Sequence, residues 1–145
     1  MNWNEIVTAA GPELFLAASG LLGVLLGAVL KEKAASVSLF AAATALVIAA
    51  AIAILQIDGG TAFNGLWETD RYTNLAKAVA YVCAAISLLM AEGYLRREKL
   101  IRFEYALLVL FASLGMGIML SANDLMTLYL GIETLGLSSY VLAAF

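Results

Sequence analysis

The sequence contains no histidine, one cysteine and one proline, and only 13% of its 145 residues are charged. Without histidine, the commonest ligand for zinc, haem and copper is missing, and so is the commonest general base. A single cysteine excludes an internal disulfide, and Cys83, set mid-helix among Ala, Val and Ile, reads as a small buried hydrophobe with no role of its own. Soluble domains carry about a quarter charged residues, so so few charges exclude a soluble globule. The net charge is −3 and no basic stripe alternates with aromatics, which excludes nucleic acid as a partner. Positions 1–13 hold no Lys or Arg ahead of the first apolar run. The positive region of a cleaved signal peptide is therefore missing, and the first helix is expected to stay in the mature protein.

What the sequence has in abundance is apolar length: 63% of residues are hydrophobic, and the charges are gathered in short clusters between runs long enough to cross a bilayer. The pattern predicts an all-α membrane protein with about five transmembrane helices, at 14–30, 37–57, 74–95, 105–120 and 125–145, forming a single transmembrane region in a lipid bilayer. Gly11 and Pro12 read as the start signal of the first helix. The second is Ala-rich, with Thr44 and Gln56 as polar side chains, and is expected to face other helices more than lipid. Asp58, Gly59 and Gly60 end it. The loop 58–72 offers Trp67 and Tyr72, aromatics suited to the headgroup level. Asn123 or Asp124 is placed to cap the fifth helix. The first and third loops hold six of the eight basic residues, which predicts the N-terminus outside and those two loops inside.

Several features have a structural reading. Ser19, Gly23 and Gly27 recur every four residues, a packing seam for another backbone. No strand precedes these glycines, so they do not form a dinucleotide-binding loop. Gly115 and Gly117 read the same way. Glu92 and Arg96, like Glu98 and Arg102, are spaced as solvated helical ion pairs. Lys77, about one turn into the third helix, is expected to snorkel outward, with a proton-relay role as its alternative. Glu104 opens the fourth helix, where the helix dipole favours a carboxylate, and it is a further relay candidate.

Glu133 resists such a reading. It falls roughly 13 Å along the fifth helix, near the middle of a hydrocarbon core about 30 Å thick. An acid there costs on the order of 3 kcal/mol, against roughly 3 to 5 kcal/mol from the Leu, Ile, Val and Phe residues of the same helix. At about 100° per residue, Met126, Tyr129, Leu130, Gly136, Leu137 and Tyr140 flank it, while Thr127, Gly131, Thr134 and Ser138 gather opposite. Both faces look like protein-facing surfaces. No other intramembrane residue of the chain stands out as its partner, and such ionisable groups mark ion or substrate paths.

The run Ser121-Ala-Asn-Asp-Leu-Met-Thr-Leu-Tyr-Leu-Gly-Ile-Glu-Thr-Leu-Gly-Leu-Ser-Ser-Tyr-Val-Leu-Ala-Ala-Phe145 resembles the fifth-helix region of the antiporter-like subunits of respiratory complex I, and within them subunit N of bacterial NADH:quinone oxidoreductase. The S-x-N-D-L turn, the L-Y-L-G-x-E core and the L-S-x-Y-V-L-A-x-F ending carry the likeness, with Phe103-Glu104-Tyr105 in support; Thr134-Leu135-Gly136 departs from the usual pattern. The resemblance implies a translocase subunit of the bacterial inner membrane, similar to roughly the first third of such a protein, in which Glu133 relays protons and is coupled to a lysine on the family's seventh helix. It implies a hetero-oligomer with other complex I membrane subunits. No redox centre is expected on this chain, with NADH, FMN, iron-sulfur clusters and quinone on partner subunits and no metal here. A subunit of a multi-part sodium/proton antiporter shares the fold and the glutamate and is the alternative, as is a structural membrane subunit in which Glu133 is only a buried acid.

Overall fold

The computed structural model describes residues 2–145, the side chains of Glu32 and Ala34 excepted. Five long helices carry it: α1 (Trp3–Leu30), α2 (Ala35–Leu55), α3 (Arg71–Arg97), α4 (Phe103–Ser121) and α5 (Leu125–Ala143). Each is long and apolar enough to cross a membrane. Short connections make successive helices antiparallel, so that the α1–α2 and α3–α4 loops lie at one end and the α2–α3 and α4–α5 loops at the other.

The first helix begins well before the expected start. Pro12 lacks an N–H and its ring crowds the carbonyl of Thr8, so the backbone leaves helical angles at Ala10 (φ −118°, ψ 22°) and then resumes. Pro12 thus marks a kink within α1, and Glu13 lies inside the helix rather than at its mouth.

The segment between α2 and α3 is a small hairpin: β1 (Gly60–Ala62) pairs antiparallel with β2 (Trp67–Thr69), with Thr61 opposite Glu68 and Ala62 opposite Trp67. Gly59, at φ +70°, admits it, because a side chain there would collide with the backbone of Thr69. Asn123, in the α4–α5 turn, ties the hairpin down: its N–H donates to Leu66 O at 3.0 Å and its Nδ2 to Gly65 O at 2.8 Å. That leaves Asp124 as the cap of α5, accepting from the Thr127 N–H at 3.1 Å, while Asp70 caps α3 from the Thr73 N–H at 2.7 Å. Trp67 is packed into the protein, only 6% exposed, with its Nε1–H donating to Ala9 O at 3.1 Å; Tyr72 is exposed.

The Ala-rich helix α2 packs against α1, α3 and α4, around a core that includes Leu16, Leu46, Leu88 and Leu110. The seam on α1 is formed by Gly20, Gly23 and Gly27, facing Phe111, Leu107 and Phe103 of α4, while Ser19 bonds back to Leu16 O. Helix α5 rests on α4, where Gly115 and Gly131 let the backbones approach: a Cβ on Gly115 would lie 2.7 Å from Leu135 N. Leu21, Leu25, Val47, Val79 and Met90 face outward, as does Cys83, which the sequence had placed among buried hydrophobes. Glu92 and Arg96 pair at 2.7 Å. Glu98 and Arg102 do not, because α3 ends at Arg97 and α4 starts at Phe103, so they do not share a helix face.

Candidate functional site

Two carboxylates sit among the apolar helices, and their surroundings differ. Glu133 is the ninth residue of α5's 19. The face of α5 bearing Gly131 and Ser138 is buried against α4, and the hydroxyls of Thr134 and Ser138 are turned back onto Leu130 O and Thr134 O, each at 2.8 Å. Glu133 points away from that contact. It is half-buried, and Met126, Tyr129, Leu130, Leu137 and Tyr140 beside it are exposed. Among the described residues, no ion pair and no side-chain hydrogen bond involves Glu133.

Lys77 does not snorkel. It lies six residues past the start of α3, about 9 Å along the helix, and is 0% exposed. Its Nζ is 2.7 Å from Glu13 Oε1 and 5.3 Å from the centre of the Trp67 ring. The Tyr81 hydroxyl, one turn further along α3, donates to the same Glu13 oxygen at 3.0 Å. Glu13 is 5% exposed. Four elements build this cluster: α1 supplies the acid, α3 the ammonium and hydroxyl, the hairpin the aromatic wall, and α4 the space. A Cβ on Gly117 would run into the Tyr81 hydroxyl and lie 2.8 Å from Glu13 Oε1. The Lys77 stem would have to stretch past Trp67 to reach water, so a carboxylate within reach holds it inside instead.

Above the pair, toward the hairpin, polar groups continue. Asn74 Nδ2 donates to Gln56 O at 2.6 Å, and Gln56 Nε2 to Val7 O at 3.1 Å. Among the described residues, Glu13 Oε2, Gln56 Oε1, Lys77 Nζ and the Ser121 hydroxyl are buried with no aligned hydrogen-bond partner.

Glu104 lies in the first turn of α4, exposed at the opposite end of the bundle, beside a surface depression of about 320 Å³ lined also by Lys31, Arg102 and Phe103. The three residues singled out from the sequence are therefore not brought together: Glu133 is on α5, Lys77 is under the hairpin and Glu104 is at the far end. Sequence reasoning missed Glu13, Tyr81, Trp67 and Gly117. The available signal was an acid and a base, each more than a turn inside an apolar helix. Among the described residues, no cluster of three His, Cys, Asp or Glu is placed to hold a metal.

No family model matches the chain. It is 56% identical over 144 residues to NADH-quinone oxidoreductase subunit N of Hirschia baltica, an alignment that takes in 98% of this chain and 30% of the relative. The subunit N of Paramagnetospirillum magneticum is 47% identical over 138 residues, and that of Azorhizobium caulinodans 46% over 134, each covering 92% of this chain and 28% of the relative. The chain thus spans about 30% of the length of the curated relatives it matches. Its five candidate spans and this kinship make it a multi-pass protein of the bacterial inner membrane.

Proposed function

The chain is a relative of NADH-quinone oxidoreductase subunit N along its whole length, and from that premise we propose that it contributes the proton-relaying Glu133 to a membrane subunit of that complex, coupling electron transfer to proton translocation. The observation that carries the proposal is a carboxylate midway along a membrane-length helix with no cation beside it among the described residues. An ionised carboxylate in an apolar medium needs a counter-charge, or else it takes up a proton, and a group poised between those states is what a relay requires. The bare flank of Met126, Tyr129, Leu130, Leu137 and Tyr140 gives further helices a surface on which to bring that counter-charge, which the family resemblance implies is a lysine. Other membrane subunits of the complex are the partners.

The chain moves protons only. NADH, FMN, iron-sulfur clusters and quinone belong to partner subunits in this reading, and the N-terminus and the hairpin face the outside, with the basic loops inside. Glu104, exposed at the inner end, serves as an entry-side carboxylate at most.

The test replaces Glu133 with Gln or Ala and measures NADH-driven proton pumping in membrane vesicles beside the amount of assembled complex. Pumping is expected to fall steeply while assembly holds. Unchanged pumping with normal assembly overturns the proposal, and loss of assembly reassigns Glu133 to a structural role.

A further inference from the structure

The Glu13 and Lys77 pair has features that a purely structural ion pair does not need. Two charges taken into an apolar interior give back little stability over well-packed hydrophobic residues of the same size, so helices α1 and α3 did not require them in order to pack. The carboxylate is also unevenly served. Oε1 receives the Tyr81 hydroxyl and the Lys77 ammonium, while Oε2, also buried, has no hydrogen-bond partner among the described residues. Here one oxygen is held in place and the other is open.

We propose that Glu13 and Lys77 form a second proton-holding site, loaded at Glu13 Oε2 and closed by the hairpin. An N–H bond of the ammonium breaks with its electron pair staying on nitrogen, and an O–H bond forms on the carboxylate. The amine is then reprotonated by a hydronium ion arriving from the hairpin side, which leaves as neutral water, so the loaded pair, a carboxylic acid beside an ammonium, holds one proton more than the ion pair. Tyr81 keeps its bond to Oε1 throughout and positions the carboxylate. Trp67 restrains the lysine, because its ring attracts the ammonium present in both states; loading removes the carboxylate charge that competes with the ring for that ammonium, so it is felt by the strand that covers the site.

Few other charges reach this pair. From α3 it meets only Tyr81; α2 contains no charged residue; α4 presents Gly117 and Ser121 here, with Glu104 at its opposite end; and Glu68 of the hairpin is exposed. The site stands apart from the role given to Glu133, and the experiment keeps the two separate.

In the full-length protein in its native membrane, carrying Glu133→Gln, infrared difference spectra are recorded between about pH 5 and 9, with and without the additional change Glu13→Gln. The expected result is a pH-dependent protonated-carboxyl band that disappears with Glu13→Gln. Carboxylate bands alone throughout the range would overturn the proposal. If the Glu13 variant fails to assemble, the Trp67 contribution to fluorescence, taken as the difference between the protein and its Trp67→Phe variant, decides with the pair intact. A one-proton step in its emission supports the proposal, and a flat response overturns it.

Discussion

Glu13 meets its cation, a hydroxyl donor and an aromatic wall within the chain, brought together by three helices and a hairpin, whereas Glu133 has a helix neighbour on one side and, among the described residues, no partner on the other. The same chemical group is thus compensated in one place and left open in the other. At Glu13, removal of Lys77 alone would leave the carboxylate buried without its counter-charge. At Glu133 nothing in the packing of α5 on α4 depends on the acid, since the contact runs through Gly115, Gly131 and Ser138. One carboxylate is therefore tied to the fold, and the other is free for a task the fold does not need.

Mutations can break this contrast. The largest effect on stability is expected from Lys77→Met, which strands the Glu13 charge and should cost about 3 to 5 kcal/mol, read as a lower thermal midpoint in detergent. The double change Glu13→Leu with Lys77→Met should recover most of that loss, and failure to recover would show that the pair is more than a sum of charges. Gly131→Leu comes next: it drives a side chain into Met119 and the backbone of α4, costing about 1 to 3 kcal/mol and loosening α5, while Gly93→Ala, with open space around it, should be neutral or stabilising. Trp67→Phe removes the bond to Ala9 O and should cost about 1 to 2 kcal/mol, seen as faster proteolysis at the hairpin.

The smallest effect concerns the two caps. Hydrogen bonds from Thr73 hold the Asp70 carboxyl below its ordinary value, and those from Thr127 do the same for Asp124. A lowered carboxyl contributes stability above the ordinary carboxylate range and loses it as the pH falls through the lowered value. The thermal midpoint should therefore drop slightly on acidification below about pH 4, and less so in Asp124→Asn, which caps without titrating.

Much of the helix plan was legible because hydrophobic runs and loop charges are local signals. The hairpin was less so: its glycines promised a turn, but only contact with Asn123 and Ala9 makes strands of so few residues worth forming. The error at Lys77 has the same origin. Snorkelling is the right expectation for a lysine one turn inside an isolated helix, and it was overridden by an acid 64 positions earlier, as the kink at Ala10 carried Glu13 inward. Glu133 was found from the sequence because its isolation is itself a local property: an acid inside an apolar run, with its surroundings readable from helical spacing.

The central claim is that Glu133 is functional and dispensable to the fold, in contrast to Glu13. It is tested most directly by measuring thermal midpoint and NADH-driven proton pumping side by side for Glu133→Gln. The account predicts a midpoint equal to or above that of the unaltered protein, with pumping largely lost. A lowered midpoint with pumping retained per assembled complex would contradict it.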